Sequence, residues 1–270
     1  MLTDRQRQHL KEQDEKVTAN MQKIMHRVVV FSGKGGVGKT FISVNLAYCL
    51  TLSGYRTGLL DADVTGPNVP KMTGITNELH AIDERLIPDK RHGLDIISVA
   101  HMLPSNVPVM WRGPMRSKLL NQFLGDVEWG SLDYLIADLP PGTGDEIMTL
   151  ADKMMPDLAV VVTTPQEISL LDSAKSINMA KELKIPNIGV VENMSGLTCP
   201  ECGHNIELFA PGGGKKQAQD MNVEFLGSIP IDIEAGKMAD NGTPVILEKA
   251  ESIVSLEIKK IAGRIENIIN

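Results

Sequence analysis

From residue 28 onward the chain gathers apolar residues into short runs that are hydrophobic at nearly every position, at 28–31, 57–60, 94–99, 134–137, 158–162, 188–191 and 224–229. A strand with one wet face alternates apolar and polar residues, so a run without that alternation predicts a strand covered on both faces. Helix-spaced stretches separate most of the runs, which predicts right-handed crossovers on a mainly parallel sheet. The expected fold class is α/β, with a central sheet of about seven or eight strands and helices on both faces. Gly54 follows the helical stretch 41–53, where a left-handed residue would end the helix.

Residues 1–22 break from this pattern. They are polar, carry charges of both signs, and offer only Leu10, Val17 and Met21 as apolar anchors. A charged helix or arm is expected there, with a single domain over 23–270. Two stretches lack periodicity: 65–88, rich in Pro, Gly and Asn, and 195–214, which holds Cys199, Cys202 and the run Gly212-Gly213-Gly214. Long loops of this kind tend to carry function. No strand leads into the glycine run, so it reads as a turn before a helix starting near Lys215 and not as a second phosphate site. At the far end Val254, Ile258, Ile261, Ile265 and Ile268 recur at helical spacing. Glu251, Glu257 and Glu266 offset Lys259, Lys260 and Arg264 there, which favours a core-packing helix over a membrane-binding one.

Composition narrows the partners. Hydrophobic residues make up 42% of the 270 and aromatic ones only 4%, which suits a sizeable aliphatic core. A net charge of −7 argues against wholesale binding to nucleic acid or to an anionic membrane. Residues 1–20 lack the apolar stretch of a secretory leader, and no window offers an uninterrupted membrane-spanning run, so a cytoplasmic location is expected.

The strongest local signal follows the first apolar run. Gly33-Lys34-Gly35-Gly36-Val37-Gly38-Lys39-Thr40 stands between a strand and a helix, the order a phosphate-binding loop requires. Its glycines let successive N–H groups converge on one point, and the helix start adds a positive end. Gly35, Gly36, Val37 and Gly38 supply that cradle, Lys39 is placed for the β and γ phosphates, and the Thr40 hydroxyl for magnesium. The expected ligand is a purine nucleoside triphosphate with Mg2+. Lys34 is unusual, since the cradle does not need it. It can instead reach a neighbouring molecule's nucleotide and neutralise charge on the transferred phosphoryl group, as arginine fingers do; a solvated loop lysine is the plainer alternative. Asp61-Ala62-Asp63 and Asp138 close the second and fourth runs, where ligands of parallel sheets sit. Asp138 is expected to hold magnesium through water and Asp63 to orient the attacking water, with helix capping as the alternative for each.

Cys199-Pro200-Glu201-Cys202 can turn two thiolates onto one metal, yet two ligands are half of a four-thiolate site. A twofold axis would supply the other half. Structural zinc, an iron-sulfur cluster and a redox dithiol all remain open on these residues. His204 is an extra ligand or a plain turn residue, and Cys49 reads as a core residue inside a helix.

Taken together these motifs resemble a known family. The two-lysine loop is similar to that of the MinD, ParA and nitrogenase iron protein group of P-loop NTPases. Within it, DADVTGPNVP at 61–70, WRGPM at 111–115, DYLIADLPPGTGD at 133–145, VVTTPQ at 161–166 and Asn193-Met194-Ser195 resemble the Mrp/Nbp iron-sulfur cluster carriers. The resemblance covers 25–244. It implies a homodimer with nucleotides near the interface, Lys34 reaching the opposite subunit's phosphates, Asn193 hydrogen-bonding adenine and Pro230 lying near the base. It also implies a bridging [4Fe-4S] cluster on Cys199 and Cys202, delivered to acceptor apo iron-sulfur proteins, with ATP hydrolysis that is slow and coupled to the cluster; zinc stays open as the occupant of the purified protein. Residues 1–20 contain no cysteine, so a second, N-terminal cluster is not expected. Two other readings stay open: a MinD- or ParA-type spatial organiser, and an electron-transferring ATPase resembling nitrogenase iron protein.

Overall fold

Successive residues of a strand face opposite sides of its sheet, and in the strand before the phosphate loop both sides are apolar. Val28 and Val30 enter one core cluster, and Val29 and Phe31 the other. The computed structural model describes residues 4–64, 66–76, 80–83, 85–102, 113–142, 144–199 and 201–270. Trp111 and Arg112, like Thr143 and Pro200 of the motifs above, lie outside them.

The chain runs through α1 (Asp4–Met21), β1 (Ile24–Phe31), α2 (Lys39–Leu52), β2 (Thr57–Asp61) and α3 (Val69–Thr73). Next come the hairpin of β3 (His80–Ile82) and β4 (Arg85–Ile87), β5 (Asp89–Arg91), β6 (Leu94–Ser98) and a short 3-10 turn (Val99–Met102). Then follow α4 (Gly113–Gly125), β7 (Leu132–Asp138), α5 (Asp145–Met154), β8 (Leu158–Thr163) and α6 (Glu167–Glu182). The last third holds β9 (Asn187–Thr198), β10 (Asn205–Ile206), α7 (Gly213–Asp220), β11 (Glu224–Ile231), α8 (Ile233–Asp240), α9 (Val245–Glu248) and α10 (Ile253–Ile269).

Nine of these strands form one mostly parallel sheet, ordered β10-β9-β8-β1-β7-β2-β6-β5, with β11 parallel to β9. Only β5 and β10 run antiparallel, one at each side. Every apolar run of the sequence became a parallel strand of this sheet. The helices divide by face: α1, α4, α5, α6 and α7 contribute to one cluster, and α2, α8, α9 and α10 to the other. Val254, Ile258, Ile261 and Ile265 of α10 are buried, as a core-packing helix requires. Among the described residues no helix is long and apolar enough to cross a membrane.

The N-terminal arm is a helix seated on α4. Val17 and Met21 are buried, and the Asn20 amide donates to the Leu124 and Val127 carbonyls at 2.9 and 2.7 Å. Leu10, expected as a third anchor, is 48% exposed; the buried apolar residues described on α1, Val17 and Met21, lie in its last turns. Gly54 has φ +95, the left-handed stop expected after α2. The glycine run begins α7 at Gly213, close to the expected start.

Candidate nucleotide site and cysteine hairpin

Three strand ends meet below the phosphate loop. Val30 of β1 and Asp61 of β2 are both register partners of Asp138 on β7. The loop then curls to start α2 at Lys39, with Gly36 and Gly38 at φ +81 and +84. Gly33 has a different reason to be glycine, because a Cβ there would collide with the main chain of Asp172 on α6.

Asp138 is the hub of the site. Fully buried, it accepts from Thr40 Oγ1 and Ser43 Oγ, each at 2.7 Å, one on each carboxylate oxygen. Lys39 Nζ lies 2.9 Å from Asp138 and 3.8 Å from Asp63, near enough for ion pairing but without a hydrogen bond to either. A buried ammonium held by charge and not by directed bonds can turn its protons to a phosphate oxygen at little cost. Thr40 and Asp138 thus fit a magnesium ion in their chemistry: hard oxygen donors at a helix start, one of them a carboxylate.

Asp61 does something the sequence reading had not assigned. Its carboxyl accepts from Ser98 Oγ at 2.7 Å and from the main-chain N–H groups of Asp63 and Val69 at 3.3 Å, bracing the turn that carries Asp63. Burial, reinforced by the neighbouring Asp138 charge, pushes the Asp61 carboxyl up to about 8, against the opposing pull of the Ser98 hydroxyl. Asp63 itself is buried and accepts from the Gly66 N–H at 3.1 Å. Ser43 and Ser98 were missed as well. Ser43 lies one turn beyond Thr40, so helical spacing alone would have put it on the same face.

Lys34 Nζ donates to the side-chain amide oxygen of Gln166 at 3.4 Å, at the start of α6. Beyond it α6 leaves Ile168 and Leu171 exposed at 68% and 63%.

On the other side of the loop a cavity of about 390 Å³ is lined by Phe41, Met72, Asn193, Met194, Pro230 and Val254 among others. Asn193 and Pro230 therefore stand together beside the loop. The Asn193 amide donates to the Val37 carbonyl at 2.9 Å.

The strand that presents Asn193 continues to the cysteines. β9 ends in a hairpin with β10, pairing Leu197 with Ile206 and Thr198 with Asn205. Cys199 N donates to the His204 carbonyl at 2.9 Å and Gly203 N to the Cys199 carbonyl at 2.9 Å, closing a tight knuckle. His204 enters this through its main chain. Cys202 is exposed and Cys199 partly so. The N–H groups of Cys202 and Glu201, with the Cys202 thiol, hold the Cys199 thiol below its usual range. Cys49 is buried in α2, its thiol pushed up to about 11 by that burial. Among the described residues no three or more His, Cys, Asp or Glu side chains cluster as a metal site.

The family model of the NUBPL iron-transfer P-loop NTPases matches residues 23–266. The chain belongs to that family. Its relatives include proteins called iron-sulfur cluster carriers: one from Methanocaldococcus jannaschii, 49% identical over 95% of this chain and 89% of its own, and one from Aquifex aeolicus, 43% identical over 91% and 68%. Among solved structures, a nucleotide-binding protein of Archaeoglobus fulgidus, in complex with ADP and with cobalt found, is 37% identical with a TM-score of 0.77 over 87% of this chain and 93% of that one. The cell division ATPase MinD of Pyrococcus furiosus, 20% identical at TM-score 0.67 over 90% and 99%, shares the iron-transfer NTPase fold.

Proposed function

We propose that this iron-transfer NTPase is a nucleotide-gated carrier: it binds and slowly hydrolyses ATP, holds a [4Fe-4S] cluster between two copies, and passes it to acceptor apo-proteins. The observation that carries the reading is one strand, β9, which sets Asn193 against the phosphate loop, ends at Thr198 and leads directly into Cys199. The names of the relatives support the cargo, and the ADP complex of the Archaeoglobus protein supports the nucleotide.

The chain's own groups divide the work. The cradle from Gly35 to Gly38 and Lys39 would hold the phosphates, and Thr40 and, through water, Asp138 would hold magnesium. Magnesium there would supply charge neutralisation on the β and γ oxygens. Asp63 orients the attacking water, and Lys34 from the other copy offsets charge on the transferred phosphoryl group. Asn193 and Pro230 line the adenine pocket. Pairing of two copies is supported by the exposed Ile168 and Leu171 beside Lys34 and by the half-complete thiolate site. Transfer is ligand exchange: thiolates of the acceptor replace Cys199 and Cys202 on iron without net oxidation or reduction.

The test is reconstitution with iron and sulfide under anaerobic conditions, with mass in solution. One cluster per pair, lost in Cys199→Ala and Cys202→Ala and delivered to an apo acceptor by the parent, is the expected result. Variants that bind and deliver clusters as the parent does would end the reading, and one zinc per pair without sulfide would make the knuckle structural.

A further inference from the structure

Glu192 immediately precedes Asn193 and points to the opposite face of the sheet. It is a carboxyl with no exposure at all. One oxygen accepts from Ser195 Oγ at 2.6 Å and from the Gly212 N–H at 3.2 Å; the other accepts from the Gly214 N–H at 2.6 Å. Ser195, near the end of β9, and Gly214, in the first turn of α7, flank the segment that carries Cys199 and Cys202. A single buried side chain therefore joins both flanks of the cysteine segment.

The fit admits little slack. A Cβ on Gly214 would lie 3.0 Å from the Glu192 Cβ, and one on Gly213 would strike Leu170 of α6. Next to the clamp the strand departs from regular geometry, with Met194 at φ +59 and Gly196 at +86, so the chain beyond Asn193 takes its direction from what holds it. Helix α7, which begins at the clamp, is bound to α6 through Ser173 and Gln217 at 2.6 Å. Asn193, on the other face, is bound to the phosphate loop at Val37 and abuts Gly38.

We propose that Glu192 is the positioning residue that transmits the state of the phosphate loop to the thiolates. A shift of the loop on binding triphosphate moves Asn193; the adjacent Glu192 moves with it, and the loop rooted on Glu192 turns the cysteine pair. This rests on the carrier reading, since it assigns the joint between that reading's two sites. Glu192 touches neither nucleotide nor iron. Gln in its place keeps the shape but offers an NH2 where an acceptor is needed, leaving a buried N–H or hydroxyl unpaired.

The experiment needs no iron. Alkylation of the apo-protein by iodoacetamide, resolved by peptide mass, reports Cys199 and Cys202, while buried Cys49 stays silent. Adding Mg-ATP should change the rate at the pair by about fivefold or more in the parent, and by less than about twofold in Glu192→Gln at unchanged ATP affinity. Ser195→Ala, a milder cut to the same clamp, should fall between them and serves if Glu192→Gln does not fold. A nucleotide effect of parental size in Glu192→Gln overturns the assignment, as does its absence in the parent. Protection arising from pairing alone would survive in Glu192→Gln and so count against it. Cluster loading, measured separately, can fail without altering the alkylation result, which keeps the two ideas apart.

Discussion

The side-chain amide of Asn193 occupies the space that a Cβ on Gly38 would need. Gly38 also sits at φ +84, so two independent constraints fix one glycine. Gly38→Ala should weaken binding of a fluorescent ATP analogue by about tenfold or more, from a backbone cost of about 1–3 kcal/mol with the collision added. Asn193→Ala should weaken it less, by about the worth of one hydrogen bond, roughly 1 kcal/mol.

Lys34 lies against the side chain of Gln166. Lys34→Ala should therefore leave ATP affinity within about threefold of the parent while hydrolysis falls by about a thousandfold, the range for cations supplied across an interface. Single-turnover hydrolysis beside equilibrium binding separates the two effects. An equal loss in both would make Lys34 an ordinary ligand of its own phosphates.

Asp138 accepts from Thr40 and Ser43 and lies beside Lys39. In Asp138→Asn the gain in ATP affinity on adding magnesium should shrink to about twofold or less, as read by calorimetric titration with and without the ion. Asp63→Asn should bind Mg-ATP as the parent does but hydrolyse it about a hundredfold more slowly, since only the attacking water loses its guide.

His101 is buried near Asp89, 3.7 Å from its carboxylate, and burial lowers its basicity more than Asp89 raises it. The unfolded chain takes up this proton near pH 6.5, the folded chain only at lower pH. The unfolded state thus binds more protons in that window, and stability declines as pH falls below about 6.5. Urea unfolding at about pH 7.5 and 5.5 should show a smaller drop in His101→Gln than in the parent.

Asn20 ties α1 to the end of α4 through two carbonyls. Asn20→Ala should cost about 1–3 kcal/mol of unfolding free energy and leave hydrolysis unchanged. A full loss of hydrolysis at parental stability would give the arm a role in the site.

Much of the architecture was legible because parallel strands announce themselves as unbroken apolar runs. The edge strands β5 and β10 were not, since Asp89-Lys90-Arg91 and Asn205-Ile206 are polar or short and owe their pairing to neighbours already in place. The phosphate loop was legible for a similar reason: its glycines are spaced by local backbone need. Asp61, Ser98 and Glu192 escaped because each acts on a partner distant in sequence or across a turn, and nothing in the spacing of a lone carboxyl says which N–H it will accept from. Leu10 misled in the other direction, since helical spacing shows which residues share a face but not how far along a helix the neighbouring surface extends.

Gly33 presses directly on α6, and α6 carries the bare Ile168 and Leu171 on its outward side. If two copies pair through that side, as proposed, one helix would lie between the phosphate loop and the second molecule. Linkage makes such an influence mutual: whatever occupancy does for association, association does for occupancy. Apparent affinity for ATP should accordingly climb as the protein itself becomes more concentrated, so a dilute sample and a crowded one would behave as different enzymes.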